Sequence, residues 1–135
     1  MVRGHADAAA REAAEVAVRR VGLGERLGAP ARDLSHGEQR QLEIALALVA
    51  EPKLLLLDEP AAGLSRAERQ LLVELLQSLD RTVTLVIIEH DMYVALTVAE
   101  RVTMMHEGAV IMEGTPDEIR ASERVHNLYL GRTHV

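Results

Sequence analysis

Residues 53–60 read Lys-Leu-Leu-Leu-Leu-Asp-Glu-Pro, and the fold turns on how this stretch is read. Four consecutive leucines, Leu54 to Leu57, have neither a helical nor an alternating period. A short apolar run that ends in turn residues fits a strand buried on both faces of a parallel sheet. Asp58 and Glu59 follow at once, and Pro60 stops further pairing. A parallel sheet presents functional groups at its C-terminal strand ends, so both acids are expected where ligands bind. One can hold a hydrated Mg²⁺ while the other handles a water. A buried strand running into an acidic turn also occurs without any such chemistry, so the neighbouring segments decide.

Composition narrows the choice. The 135 residues suit one domain or a piece of a larger one. Hydrophobic residues make up 48% and charged residues 27%, which is globular rather than disordered or membrane-embedded. With two Tyr and no Phe or Trp, the core has to be built from Leu, Val, Ile, Ala and Met. The same lack removes the aromatic platforms on which single strands stack. A net charge of −6 also opposes a phosphate-backbone footprint, so no nucleic-acid partner is expected. Without cysteine there is no disulfide, thiolate zinc site or thiol nucleophile. The longest uninterrupted apolar run, residues 44–50, falls far short of the ~20 residues of a membrane span. The N-terminus carries no apolar signal segment, so a role at a membrane is expected to be peripheral.

Upstream, Ala-rich residues 8–21 place Val16, Ala17 and Val21 at helical spacing. They read as a helix capped by Asp7 and ended by Gly22 and Gly24, with the residues before Asp7 frayed. Residues 25–33 form a connecting loop containing Pro30. Leu34-Ser35-His36-Gly37-Glu38-Gln39 follows, with Ser35 and Glu38 at capping-box spacing. Leu42, Ile44, Ala45 and Leu48 supply a buried helical face behind it. The plain reading is a well-capped helix. The functional reading adds an anion site, made from a serine hydroxyl, free N–H groups and a glycine that lets the backbone come close.

Downstream, residues 61–64 form a tight connector, and Ser65 with Glu68 makes a second capping box. This opens a helix over 66–79 with Leu71, Leu72, Leu75, Leu76 and Leu79 inward. Residues 82–89 are dense in β-branched side chains and read as a second buried strand. Strand, helix and strand in this order imply a right-handed parallel crossover. His90 follows that strand directly, at the same sheet edge as Asp58 and Glu59. That placement sets it apart from His5, His36, His106, His126 and His134, which read as incidental. Residues 91–100 read as a short helix, and 102–105 with 109–112 flank His106-Glu107-Gly108 as a hairpin. Thr115-Pro116-Asp117-Glu118 starts another helix, and residues 122–130 read as helical too.

Taken together, these pieces resemble the ATP-binding subunit of an ABC transporter. Residues 34–39 look like its signature motif, 54–59 its Walker B, 61–65 its D-loop and His90 its switch histidine. Detail narrows the resemblance to the branched-chain amino-acid importers: Asp-Glu-Pro-Ala-Ala-Gly-Leu at 58–64, Ile-Glu-His-Asp-Met at 88–92, Glu-Gly-Thr-Pro at 113–116 and Tyr-Leu-Gly at 129–131. The urea importers share much of this pattern. The resemblance implies a P-loop-nucleotidase-type α/β fold, a parallel sheet with flanking helices and a C-terminal β-hairpin and helices. Residues 1–34 correspond to the end of the helical subdomain and a linker, and 35–135 to the C-terminal part of the catalytic core.

It also implies ATP and Mg²⁺ as cofactors, with Asp58 in the metal shell and Glu59 polarising the attacking water. His90 would contact the γ-phosphate. Ser35, His36, Gly37, Glu38 and Gln39 would close on the ATP of the opposite subunit, with Ser65 as a weaker D-loop contact. The implied partners are a second ATP-binding subunit and membrane-spanning permease subunits, at the cytoplasmic face of the cell membrane.

The sequence departs from the family in places. His36 stands where glycine is usual, Glu38 where glutamine is usual, Ser65 where aspartate is frequent and Leu46 where arginine is frequent. The largest departure is that no Gly-x-x-x-x-Gly-Lys-Ser/Thr occurs, so the phosphate-cradling Walker A loop is missing, as is the Q-loop. The fold is therefore expected to be incomplete, the C-terminal half of an ABC ATPase domain. Because the family's P-loop strand lies between the 82–89 and 102–105 strands, an open slot is expected there. Two other readings compete. One is the head of a non-transport ABC ATPase, opposed by the missing coiled-coil heptads and the negative charge. The other is a non-catalytic module that keeps the signature and dimerises with intact subunits.

Overall fold

The Ala-rich segment forms α1 (Arg3–Arg20) in the computed structural model, which describes residues 3–130; Gly131 and His134 lie outside them. The helix starts before Asp7, so Asp7 lies within it and does not cap it, and the chain just ahead of Asp7 is helical rather than frayed. Alanine and arginine are strong helix formers, and they extend the helix beyond its capping signal. Of the spaced apolar residues, Ala17 and Val21 are buried whereas Val16 is exposed. The chain leaves α1 through a Schellman turn. Gly22 adopts φ +83°, its N–H donates to the Arg19 carbonyl, and the Leu23 N–H donates to the Val18 carbonyl, both at 3.0 Å.

Two short 3₁₀ turns, Gly24–Arg26 and Ala31–Asp33, lead to α2 (His36–Leu48), which packs on α1 and buries Ile44, Ala45 and Leu48. Then come β1 (Leu54–Asp58), α3 (Arg66–Gln77) and β2 (Thr84–Ile88). The strands pair in parallel, with Leu54 opposite Thr84 and Asp58 opposite Ile88. On α3 the buried stripe is Leu72, Val73, Leu75 and Leu76; Leu71, expected inside, is exposed, because a stripe centred on 72–76 rotates it outward.

Side chains alternate across a strand, and the two faces of this sheet differ sharply. Leu55 is buried, and Leu57, Leu85 and Ile87 are half-buried. On the opposite face Leu54, Leu56, Asp58, Thr84, Val86 and Ile88 are all exposed, Leu56 by 66% and Ile88 by 65%. The expectation that both strands are buried on both faces therefore fails. The sheet has two strands, and no layer of the described residues covers its second face. Contiguous exposed aliphatics of this kind mark a surface built to be covered.

Among the described residues, these elements make up one compact unit that ends at Glu89, and the residues from His90 onward make up another. The second unit begins with α4 (Met92–Val98), whose first turn is capped by the Asp91 carboxylate accepting from the Val94 N–H. β3 (Val102–His106) and β4 (Ala109–Gly114) form the antiparallel hairpin, with an irregularity between Met104 and Met105. Thr115, Pro116 and Glu118 open α5 (Pro116–Ala121) through a full capping box. A short α6 (Glu123–Val125) runs into one π-helical turn, His126–Leu130. Leu96, Met104, Ile119 and Val125 form this unit's core, with Met92, Val102, Ile111, Met112 and Tyr129 packed against it. The architecture is the mixed α/β arrangement expected: a small parallel sheet with helices, then a hairpin and short helices.

Candidate functional site: an acidic strand end and a capped helix start

Asp58 is the last residue of β1 and lies on the exposed face with Leu54 and Leu56. Glu59 leaves the strand in the left-handed region at φ +45°, and its N–H donates to the Ile88 carbonyl at 2.8 Å. Outside glycine that conformation costs about 1–2 kcal/mol, and here the parallel ladder holds it in place. It also breaks the strand's alternation between two adjacent acids. Glu51 and Glu107 are the other described non-glycine residues with positive φ, and both lie in turns between elements. The connector is tied back at once: the Ala62 N–H donates to the Glu59 carbonyl at 3.0 Å, and the Ala61 N–H to Glu89 Oε1 at 2.7 Å. Glu89 escaped the sequence reading, although its position between β2 and His90 was a usable signal. His90 itself is exposed and opens the second unit.

At the start of α2, Ser35 is the N-cap. Its Oγ accepts from the Glu38 N–H at 3.2 Å, and Glu38 Oε2 accepts from the Ser35 N–H at 2.8 Å. Gln39 reaches back to the Leu34 carbonyl at 3.1 Å. Gly37 is buried, and its N–H donates to Glu68 Oε1 at 3.1 Å. Arg26 grips Glu38 through Nε at 2.8 Å and Nη2 at 3.2 Å. An open cleft of about 340 Å³ borders this start, with Arg26, Arg40 and Glu68 among its walls. Two glutamates therefore use donors that the sequence reading assigned to an outside anion.

The Arg26 guanidinium, followed by the Ser35 N–H, holds the Glu38 carboxyl down at about 2. A folded value below the ordinary 4.5 means that the pair's contribution to stability is present above about pH 4.5 and is lost as pH falls toward 2. An NMR titration of the Glu38 carboxyl is expected to show a midpoint of about 2, and Arg26→Gln to return it toward 4.5. An unmoved midpoint in the variant removes Arg26 as the cause.

Magnesium bound with a nucleotide keeps several waters and takes only one or two protein carboxylates, the rest coming from phosphates. A single exposed carboxylate at a sheet end, as Asp58 is, fits that demand. Among the described residues no three or more acids or histidines gather into a metal cage, and none is needed for such a site. No helix in the described residues is long and apolar enough to cross a membrane.

Comparison with known proteins bears on the whole arrangement. Residues 2–62 match the ABC transporter family, and residues 109–135 match the branched-chain amino acid ATP-binding cassette transporter family. The high-affinity branched-chain amino acid transport ATP-binding protein LivG of Salmonella typhimurium is 41% identical over 114 residues, covering 83% of this chain and 45% of that protein. BraF of Pseudomonas aeruginosa, of the same description, is 39% identical over 126 residues, covering 90% of this chain and 49% of that protein. The chain thus spans about half the length of the curated relatives it matches. Among solved structures, the ADP conformation of MJ1267, an ATP-binding cassette of an ABC transporter, superposes with a TM-score of 0.78 at 26% identity over 90% of this chain and 50% of that one. The cbiO1 subunit from Clostridium perfringens, part of the cbiONQ transporter complex, superposes with a TM-score of 0.72 at 36% identity, covering 90% of this chain and 51% of that one. By sequence and by fold, this chain belongs to the ATP-binding subunits of ABC transporters, in their branched-chain amino-acid branch, and covers part of the ATPase domain.

Proposed function

We propose that this chain supplies the hydrolytic strand end and the signature of one ATP-binding subunit, and that the transporter it energises imports branched-chain amino acids. The observation that carries this reading is the adjacent acid pair Asp58–Glu59, held by the parallel ladder at the C-terminal end of β1. When bound, Mg²⁺ and the P-loop half supply phosphate binding and charge neutralisation. Asp58 holds the metal shell, and Glu59 orients and polarises the attacking water. His90 would contact the γ-phosphate. Ser35 and Gly37, with His36, Glu38 and Gln39 around them, close on the nucleotide of the opposite subunit, and Ser65 belongs to the connector beside them. Closure of two such subunits shifts the permease subunits between states at the cytoplasmic face of the membrane.

The cargo part of this reading is testable directly. A chimera that joins the N-terminal half of LivG to this chain is expected to restore leucine uptake to cells lacking LivG. A chimera that folds and hydrolyses ATP but restores only urea or amide uptake overturns the cargo and leaves the ATPase role standing.

The uncovered sheet face yields a second test. If the other half of the domain covers Leu54, Leu56, Val86 and Ile88, one substitution has a small effect in one setting and a large one in the other. Leu56→Lys is expected to change the stability of this chain alone by less than about 0.5 kcal/mol, as at other exposed positions. In the completed domain the same change buries a charge and should cost more than about 3 kcal/mol. Chemical denaturation of both proteins checks this, and equal small effects would show that the face stays open.

A further inference from the structure

His36 stands where the family's signature has glycine, and the structure gives this side chain a partner. Its Nε2 lies 3.3 Å from the carbonyl oxygen of Ala62, 26 positions further along. The ring also fills the space over Gly63, whose φ is +75°; a Cβ there would come to 3.0 Å from Nε2. One residue on, the Gly37 N–H donates to Glu68 Oε1 at 3.1 Å, and a Cβ on Gly37 would strike that same oxygen at 2.4 Å. Glu68 Oε2 accepts from the Ser65 N–H at 2.8 Å. A single carboxylate thus spans the starts of α2 and α3. The Ser65 bonds hold its carboxyl below the ordinary value, with Gly37 and the nearby His36 adding to the effect.

We infer that His36 and Glu68 are positioning residues that fasten the first turn of α2 to the connector at 61–65, so that the signature and D-loop segments move as one body. The inference rests on the proposed function, in which both segments meet the opposite subunit. Two bonds at neighbouring residues resist rotation as well as translation, whereas either bond alone leaves a hinge. Gly37 is required at its position because the Glu68 carboxylate occupies the volume of a side chain. Neither His36 nor Glu68 needs to touch nucleotide to set where Ser35 and Gly37 stand.

The LivG chimera provides the functional arm. His36→Ala and Glu68→Gln are each expected to lower ATP turnover about tenfold, the scale of a misplaced catalytic neighbour. Nucleotide binding by the unpaired subunit should be unchanged, since its own P-loop captures the nucleotide. The double variant should lose no more than the worse single one, because both release the same joint. His36→Gln keeps an N–H able to reach the Ala62 carbonyl and should recover most of the loss. Additive losses, or nucleotide binding lost in step with turnover, overturn the joint and leave Glu68 as a helix cap. Hydrogen exchange on the 135-residue chain gives a readout free of catalysis. Glu68→Gln takes the charge from the acceptor of the Gly37 N–H and is expected to speed exchange of that amide about tenfold, and His36→Ala, which leaves Glu68 in place, is expected to speed the same amide by freeing the turn. A parent chimera inert toward ATP overturns the proposed function; the exchange result then decides the joint by itself, faster exchange supporting it and unchanged exchange overturning it.

Discussion

The 135-residue chain on its own is expected to turn over no ATP above background, although it carries the acid pair Asp58–Glu59. Phosphoryl transfer leaves a protein little covalent work, and most of the acceleration comes from positioning and from stabilising charge on the phosphates. A P-loop provides much of both, through backbone N–H groups and a lysine, and no such motif occurs in this sequence. Pairing two copies does not help, because each copy lacks the same loop. Steady phosphate release by the purified chain that disappears in Glu59→Gln would refute this expectation.

Glu59→Gln in the LivG chimera should separate binding from chemistry. The amide keeps the shape of the carboxylate but cannot polarise water in the same way, and loss of a general base costs about 10²–10⁴-fold in rate. Binding of ATP, which draws on the P-loop and the Asp58 metal shell, should persist. The backbone supports this separation: Glu59 is held through its N–H to Ile88, a bond the substitution leaves untouched. The variant is therefore expected to accumulate a closed, ATP-loaded dimer. Normal turnover in Glu59→Gln would reduce Glu59 to a structural acid at a strand end, and the role of base would pass to another group.

Much of this was legible in the sequence because the signals act over a few residues. The leucine run and the β-branched run became β1 and β2, and the three boxes Ser35/Glu38, Ser65/Glu68 and Thr115/Glu118 all formed. A capping box closes within one helical turn, so spacing alone specifies it. The hairpin around Glu107-Gly108 likewise follows from local turn chemistry. Of the candidate site, the placement of Asp58 and Glu59 at a strand end and of Ser35 at a helix start follows from the same short-range logic.

Tertiary structure decided the rest. An apolar run reports that a strand is fit for burial, but not how many layers are present to bury it, and so Leu54, Leu56, Val86 and Ile88 read as core yet lie exposed. Asp7 offered a cap that α1 passes by, because propensity outweighed one capping residue. The bonds from Gly37 to Glu68 and from Ala61 to Glu89 join residues 31 and 28 positions apart. No periodicity encodes such pairs; they exist only once β1, α3 and β2 have brought the connector beside the start of α2 and the end of β2. Residue types and local spacing therefore determined which elements form and where the acids stand, while chain crossing set which donors those acids take and which sheet face is left without a cover.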